Sequence, residues 1–330
     1  MTTMPRFLIG MAITATCLGA GIHFVNWSEM VLAFAPVGAG HIALSAVLIS
    51  VAQVLWAMRW HSLIGVNAIP LRNVFRYTMI GCLANAILPA RPGGVVRLVL
   101  LKKGGRIGYS RGLATIVVER LFDMVALCAL ALSISLTVTL PISVTVALNL
   151  IGGASLGLLL LLVLLNRHAA RLPRLSRRHA AFKGRLVGAF ILKLENFAVA
   201  LDILRAPHQL IRCALLTIAG WSVFAASLYV LSLGFRLPSP PAAVLLVMVT
   251  TNLGAIIPSS PGSLGVYHFM AVLALSVWNV DLDLALAFAI GAHALPLAIQ
   301  IVAGILSVWA EDLQVSNLTA LADSGLKNAP

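Results

Sequence analysis

The sequence predicts an all-α polytopic membrane protein with about six full spans and two broken or re-entrant helical hairpins in an inverted-repeat arrangement. Hydrophobic residues make up 60% of the chain and charged residues 10%, and the mean hydropathy is +1.01. A soluble domain is instead about half apolar and a quarter charged. The pattern Pro-x-x-Pro-Gly also occurs twice, at residues 89–93 and 258–262. The composition therefore predicts a membrane protein, and the repeated pattern predicts two related halves.

Long apolar runs predict the full spans, because a helix of about 20 apolar residues crosses the hydrocarbon core of a bilayer. The predicted spans cover residues 6–25, 41–60, 112–140, 143–165, 209–235 and 284–310. Pro141 divides what would otherwise be one overlong apolar run between the third and fourth spans.

The two Pro-x-x-Pro-Gly segments predict breaks within membrane helices. Proline removes a backbone donor and clashes with the preceding turn, and glycine adopts dihedral angles closed to other residues. We therefore expect broken hairpins at residues 74–101 and 241–278. Non-helical backbone survives at membrane depth only where it is buried in protein or lines a wet cavity, and interrupted segments at matching places in two halves indicate a transporter's binding site.

The predicted organisation is a first membrane half at residues 1–165, a basic connector at 166–207 and a second membrane half at 208–330. The connector is rich in arginine and lysine, so it must lie outside the hydrocarbon. Its latter part, residues 182–204, is expected to form an amphipathic helix on the membrane surface.

The distribution of Lys and Arg predicts the orientation. The formal net charge is +13. The loops on the side predicted to face outside, at residues 26–40, 139–143 and 279–283, contain no Lys or Arg, and Arg236, just after the fifth predicted span, is the one exception. We therefore expect both termini and the connector to be cytoplasmic, the hairpin at 74–101 to enter from the cytoplasm, and the second hairpin to enter from outside. The positive charge is assigned to topology and to anionic lipid headgroups rather than to nucleic acid.

Three charged residues, Glu119, Arg120 and Asp123, lie inside a predicted span and form a charged cluster. Glu119 and Asp123 share one helical face, while Arg120 projects to an adjacent side. A charged group at the centre of a bilayer costs about 2.5–3.5 kcal/mol, so the cluster needs partners or water. One interpretation is a polar site that faces the broken hairpins. The other is a structural cluster that joins helices near the cytoplasmic end of the span.

Arg91 lies within the first break, beside Gly93, and Arg97 follows it. The N-terminus of a half-helix offers free N–H groups, and an arginine beside it can form a bidentate contact with a phosphate. The two arginines would suit an anionic headgroup. In the alternative interpretation, Arg91 pairs with a carboxylate of the charged cluster and only closes the fold.

The candidate residues of the second break are Pro261, Gly262 and Gly265, followed by His268. A histidine at this place could titrate and gate a transport cycle. In the alternative interpretation, His268 is a neutral packing residue. His293, in the last span, has a similar but weaker position.

Other polar residues near the breaks, Asn85, Asn252 and Thr251, are expected to satisfy backbone groups that the breaks free. The sequence contains no C-x-x-C pair, Walker loop, H-E-x-x-H or G-x-S-x-G pattern. It therefore favours no metal, no cofactor, no use of ATP and no common hydrolase chemistry.

These motifs resemble those of the lysylphosphatidylglycerol synthase transmembrane-region family, also called flippase-like domain proteins. The family pattern runs Asn-x-x-x-Pro-x-Arg-x-Gly-Glu-x-x-Arg, then Ser and Thr-x-x-x-Glu-Arg-x-x-Asp, and finally Pro-Gly-Gly-Leu-Gly-x-x-Glu. The positions that fit this pattern are Asn85, Pro89, Arg91, Gly93, Arg97, Ser110, Thr115, Glu119, Arg120, Asp123, Pro261, Gly262, Leu264 and Gly265. Gly94 and His268 stand where the family often has Glu, so this chain lacks two carboxylates of the pattern.

The resemblance implies a multi-pass protein of the cytoplasmic (inner) membrane that moves or binds an amphipathic lipid, such as an aminoacylated phosphatidylglycerol, a polyprenyl-phosphate-linked species or a hopanoid-related lipid. We expect a flippase or lipid-binding transporter for an anionic or polyprenyl-phosphate-type lipid, not an enzyme, with its site between the two broken hairpins. The full-length synthases carry a soluble aminoacyl-transfer domain, which we do not expect here, so lysyl transfer is not expected either.

Two alternatives stay open. The first is an accessory membrane protein that presents a lipid to a separately encoded transferase. The second is a membrane-embedded enzyme that acts on a lipid phosphate.

Overall fold

The computed structural model describes most of the chain, and no strand occurs in the part that it describes. The described residues are 25–65, 69–88, 91–105, 107–136, 138, 142–168, 207–255, 260–315 and 318–322. Their main helices are α1 Trp27–Leu32, α2 Ala39–Ile64, α3 Leu71–Ile87, α4 Gly93–Gly105, α5 Tyr109–Ser135, α6 Ile142–His168, α7 Pro207–Gly234, α8 Pro241–Gly254, α9 Val266–Ser276 and α10 Leu282–Ala310. The predicted first span at 6–25 and the predicted surface helix at 182–204 lie outside the described residues.

Long helices occur where the sequence predicts spans. Of the described helices, α2, α7 and α10 are long and apolar enough to cross a membrane. Helices α5 and α6 have 27 residues each, but the first half of α5 carries several charged side chains. These five helices match the last five predicted spans to within about five residues at each end. The protein is therefore a multi-pass helical membrane protein, and the total of six spans stays a prediction.

A break separates α3 from α4 where the first Pro-x-x-Pro-Gly pattern lies. Helix α3 ends at Ile87, and Leu88 is extended, with φ −100° and ψ 145°, as expected for a residue that precedes proline. Helix α4 then begins at Gly93 and packs back against α3. Near its end, Gly104 packs against the hydroxyl group of Tyr77 near the start of α3. The outer ends of the two helices therefore lie close together, as in a hairpin.

The second break lies between α8 and α9, which also pack against each other. A short 3-10 turn, Pro261–Ser263, precedes α9. Gly262 has a φ of 69° and Gly265 a φ of 82°. Side chains other than glycine rarely adopt this conformation, so the two glycines allow the chain to turn sharply into α9.

Helices from the two sequence halves interleave. Helix α7 packs along α2, and α10 packs along α3. Between the first two, Ser45 Oγ donates to the carbonyl oxygen of Ser227 at 2.9 Å, and the rings of Trp56 and Trp221 lie 5.1 Å apart. The described helices of residues 25–168 and 207–310 therefore form one bundle rather than two separate bodies.

Contacts at the ends of α10 show which connections lie together. The backbone N–H of Asn26 donates to Asp283 Oδ1 at 2.9 Å, so the connection before α1 lies beside the start of α10. Arg76 near the start of α3 pairs with Glu311 at 3.1 Å, just after the end of α10. Connections that lack Lys and Arg thus meet at one end of the bundle, and the basic start of α3 lies at the other. This grouping agrees with the charge pattern of the sequence.

Candidate functional site

The two helix breaks meet beside the centre of α10. Arg91, in the first break, has a φ of 52°, and its Nη1 donates to the carbonyl oxygen of Ala255 at 2.7 Å, just past α8. Gly262, in the second break, faces the carbonyl oxygen of Ala86 in α3. Pro296, at the centre of α10, borders the space between them. The segments that the sequence marks by Pro-x-x-Pro-Gly are therefore neighbours in the fold.

A cavity of about 180 Å³, named here the break cavity, lies between these segments. Its polar lining residues are Asn85, Arg91, Thr251, Asn252, Ser263, Tyr267, His293 and Gln300. The described residues that line it include no Asp or Glu, and the guanidinium group of Arg91 is the permanently charged group among them. The lining therefore has a positive charge and several hydrogen-bonding groups, which suits an anion.

The two asparagines of the break cavity have different roles. Asn85 Oδ1 accepts a hydrogen bond from the backbone N–H of Gly93 at 2.7 Å, so it satisfies a donor that the first break frees, as predicted. Asn252 Nδ2 instead donates to the carbonyl oxygen of Met248, and Thr251 Oγ1 to a carbonyl oxygen one turn earlier in α8. That Asn252 and Thr251 also satisfy backbone groups freed at the second break stays a prediction, because residues 256–259 of this break lie outside the described residues.

Three rings pack together at the start of α9. Tyr267 and His293 are stacked with centroids 4.2 Å apart, and His268 meets His293 edge to face at 5.2 Å. His268 Nδ1 also accepts a hydrogen bond from the backbone N–H of Gly265 at 3.3 Å. His268 therefore packs and caps the start of α9, which is the structural interpretation of this residue. Its role as a titrating gate stays a prediction.

A separate ion-pair network of four buried side chains, Arg59, Arg97, Glu119 and Asp123, lies between α2, α4 and α5. Arg59 donates to both carboxylate oxygens of Asp123, at 2.6 and 3.1 Å, and lies 3.4 Å from Glu119. Arg97 donates to both carboxylate oxygens of Glu119, at 3.3 and 2.7 Å. Each of the four residues is at most 6% exposed. The formal charges cancel, because two arginines face two carboxylates.

Two tryptophans complete this network. The indole Nε1 of Trp221 in α7 donates to Asp123 Oδ1 at 3.1 Å. The guanidinium carbon of Arg97 lies 3.9 Å from the ring centroid of Trp60, a cation–π contact. The network therefore joins four helices, α2, α4, α5 and α7, inside the bundle.

The structure thus divides the predicted site residues into two groups. Arg91 contacts neither carboxylate of the charged cluster, so the interpretation that it pairs with one of them is wrong. Arg59 and Arg97 take that place. Arg97 is buried in the network rather than in the break cavity, and Arg120, whose side chain is 60% exposed, lies 3.8 Å from Asp123 on the same helix. Of the residues named from the sequence, six line the cavity: Asn85, Arg91, Thr251, Asn252, Gly262 and His293.

Sequence reasoning missed several residues of both groups. For Arg59 the sequence does offer a signal of a buried charge, because the residue falls near the end of an apolar run that continues to Ile64. Trp56 and Gln300 line the break cavity, but an aromatic or an amide in an apolar helix gives no pattern that distinguishes lining from packing.

The fold and these two groups of residues define a helical membrane protein with a cation-lined cavity between two broken helix pairs. The family model described as "Lysylphosphatidylglycerol synthase TM region" matches residues 7–304, nearly the whole chain. The chain belongs to this family, as its motifs indicate.

Two proteins of known sequence are similar to this chain. "Glycosyltransferase AglD" of Haloferax volcanii is 26% identical over an alignment 371 positions long, which covers 98% of this chain and 58% of that protein. "UPF0104 membrane protein MJ1078" of Methanocaldococcus jannaschii is 24% identical over 197 residues, which cover 60% of this chain and 80% of that protein. The chain thus spans little more than half the length of the first relative. Together with the family, they indicate a membrane protein with a lipid-related role.

Proposed function

We propose that the protein is a flippase or lipid-binding transporter for an anionic or polyprenyl-phosphate-type lipid of the cytoplasmic membrane, and that the break cavity binds the headgroup. One observation carries the proposal. The guanidinium group of Arg91 borders an internal cavity whose described lining has no carboxylate, and its partner is a neutral carbonyl oxygen. The arginines of the ion-pair network, by contrast, already face carboxylates.

The cavity can replace the hydrogen bonds that an anionic headgroup loses when it leaves water. A headgroup that enters the hydrocarbon region sheds hydrogen bonds, and a charged guanidinium group replaces them with short, strong ones. Asn85 adds its NH₂ group, because its Oδ1 is already engaged by Gly93. The bond from Arg91 to Ala255 also joins the two breaks, so an anion that competes for Arg91 would loosen their contact and couple binding to movement.

The size and depth of the cavity agree with this role. About 180 Å³ is below the 300–1,000 Å³ of a pocket for a drug-sized ligand, so the cavity suits a headgroup rather than a whole lipid. Its position beside the centre of α10 is where transporters with discontinuous helices bind their substrates. The proposed inverted arrangement of the hairpins is supported by α3 starting beside the end of α10, while α9 leads directly into its start.

A second candidate function is lipid presentation to a transferase. The relative named as a glycosyltransferase is longer than this chain, which spans 58% of its length. A membrane region of this kind could hold a lipid while another domain or protein modifies its headgroup. Lipid movement by the purified protein alone would favour the flippase over this candidate.

Replacing Arg91 tests the headgroup site. Cys82 borders the break cavity, so its reaction with the small neutral reagent methyl methanethiosulfonate reports access. We expect phosphatidylglycerol, added to phosphatidylcholine nanodiscs, to slow this reaction in a variant that keeps Cys82 as its sole cysteine. Arg91→Gln should weaken the protection roughly tenfold, and Arg91→Lys should weaken it less, because lysine keeps the charge but loses the planar fork. Intact-protein mass spectrometry measures the reaction.

Arg72→Gln is the matched control, because it removes an exposed arginine of α3 with the same change in net charge. It should leave the protection unchanged. Equal protection in wild type and Arg91→Gln would show that Arg91 is structural and would contradict the proposed site.

Labelling of introduced cysteines tests the proposed orientation. In a variant without native cysteines, sites within residues 166–185 should not react with a membrane-impermeant maleimide on intact cells, because the basic connector is placed in the cytoplasm. Sites within 279–283 should react. The opposite pattern would contradict the proposed orientation of the hairpins. Permeabilised cells, in which both sets should react, are the control.

A further inference from the structure

An apolar groove lies between α5, α6 and α7, and Leu245 of α8 also borders it. Its volume is about 740 Å³, within the 300–1,000 Å³ range of ligand pockets. On α7 it runs from Ala214 to Ala225, which at 1.5 Å per residue is about 17 Å along the middle of this membrane-capable helix. The groove is therefore placed within the hydrocarbon region.

Apart from the exposed Ser222, the polar side chains of the groove have their hydrogen bonds directed into the protein. Thr217 Oγ1 donates to the Cys213 carbonyl oxygen at 2.7 Å and accepts from Arg59 at 3.1 Å. Trp221 Nε1 donates to Asp123. Ser133 Oγ donates to a carbonyl oxygen of its own helix at 2.9 Å. The walls thus offer an occupant mainly apolar contact, which suits hydrocarbon and not a polar group.

Small side chains create the space. Ala126 and Ala129 in α5, and Ala214 and Ala225 in α7, line the groove where larger residues would close it. Leu156 and Leu159 of α6 border the opposite side. Because alanines leave the groove open, one aromatic side chain in place of an alanine can fill it.

The groove and the break cavity share an aromatic wall. Phe224 of α7 lines the cavity and Trp221 lines the groove, and their ring centroids lie 6.1 Å apart. Trp56 of α2 contacts both rings, at 5.1 and 5.7 Å. At 100° per residue, positions 221 and 224 point to adjoining faces of α7. A positive cavity and an apolar groove thus lie on either side of these three rings. The two match the anionic headgroup and the hydrocarbon chain of a single lipid.

We propose that the apolar groove binds a hydrocarbon chain of the same lipid whose anionic headgroup occupies the break cavity, with the chain passing the Trp56, Trp221 and Phe224 wall. This inference rests on the proposed headgroup site. It narrows the substrate class to lipids in which an acyl or prenyl chain can leave the headgroup and lie beside α7. It also assigns a role in chain selection to Ala129 and Ala214.

Alkyl phosphates of increasing chain length test the inference. In phosphatidylcholine nanodiscs, the concentration of ethyl, octyl or dodecyl phosphate that half-protects Cys82 is measured by the methyl methanethiosulfonate reaction. In the wild-type background this concentration should fall as the chain lengthens. Ala129→Phe should raise it about tenfold for dodecyl phosphate and leave it unchanged for ethyl phosphate. Comparing variants at one chain length removes the effect of partition into the bilayer.

Ala43→Phe is the matched control, because Ala43 is an exposed alanine of α2, a helix that does not line the groove. The concentration of each alkyl phosphate that half-protects Cys82 should be the same in this variant as in the wild type. Ala214→Phe fills the groove from the opposite wall and replaces Ala129→Phe if that variant does not fold.

The outcomes separate the two proposals. If the concentration of dodecyl phosphate that half-protects Cys82 is equal in wild type, Ala129→Phe and Ala214→Phe, the proposed chain site is overturned. If Arg91→Gln loses protection in that case, the headgroup site is still supported. Protection that does not depend on Arg91 with any probe, or no protection at all, would overturn both. A change in Ala43→Phe equal to that in Ala129→Phe would also overturn the chain site, since the effect would come from the bilayer.

Discussion

Asp123→Asn is expected to lower the free energy of unfolding by about 3–5 kcal/mol. Arg59 is 1% exposed, and the carboxylate of Asp123 accepts hydrogen bonds from both terminal nitrogens of its guanidinium group. The substitution leaves a buried network with two arginines and one carboxylate, so an unmatched positive charge stays in the interior. The neutral amide also presents an NH₂ group where a carboxylate oxygen accepted from Arg59 and Trp221. Unfolding by SDS in mixed micelles measures the loss.

A double variant distinguishes a network from independent contributions. Arg59→Met and Asp123→Leu should each be as harmful as Asp123→Asn, because each leaves a charged partner unpaired. The combination of Arg59→Met with Asp123→Leu should recover much of the loss, since replacing a buried ion pair by apolar residues is often nearly neutral. Additive losses in the double variant would contradict the pairing. Arg120→Gln, at the exposed position on the same helix, is the control and should change stability by less than about 0.5 kcal/mol.

The neutrality of this network bears on the break cavity. Glu119 and Asp123 are matched by Arg59 and Arg97, so neither carboxylate remains to neutralise Arg91. Arg97 also lies one turn after Gly93, and its pairing with Glu119 fixes the start of α4 against α5. The charges that the sequence places near one another are therefore divided between the neutral ion-pair network, which joins helices, and Arg91, which borders the break cavity.

Much of the fold could be predicted from the sequence, because its signals are local. The apolar runs give the long helices to within a few residues, and proline and glycine mark both breaks. Leu88 is extended because of the proline that follows it, and Gly262 and Gly265 take positive φ values where the sequence places glycine. Each of these features depends on the chemistry of one or two neighbouring residues, which the sequence displays.

The choice of ion-pair partners could not be predicted in the same way. The sequence offers three candidate arginine partners for Glu119, which are Arg91, Arg97 and Arg120. Helical periodicity shows only that Arg120 faces another side of the helix. The partner of Asp123, Arg59, comes from α2, 64 residues away. Such pairing depends on how α2, α4 and α5 cross, and this is decided by packing between helices rather than by any pattern within one of them.

Gly93→Ala is expected to cause a loss of stability of about 1–3 kcal/mol or more, because it overpacks a close backbone contact between α3 and α4. A Cβ at this position would lie 2.6 Å from Asn85 Oδ1 and nearer still to the carbonyl oxygen of Gly81. The latter is a backbone atom of α3, so the clash cannot be relieved by a side-chain rotation. The helices must separate, and the hydrogen bond from Gly93 N–H to Asn85 must lengthen.

Gly94→Ala is the matched control, since it differs by one position in the same helix and a Cβ there meets no atom within 4 Å. An alanine is favoured over glycine in a helix by roughly 0.5–1 kcal/mol, so this variant should be equally stable or more stable than the wild type. The two substitutions are identical in chemistry, but Gly93→Ala should lower the SDS unfolding midpoint, while Gly94→Ala should leave it unchanged or raise it. Because Asn85 borders the break cavity, Gly93→Ala should also alter the reaction rate of Cys82, while Gly94→Ala should not. Equal stability of the two variants would mean that α3 and α4 are not in backbone contact at Gly81, and the close packing of the first hairpin would have to be abandoned.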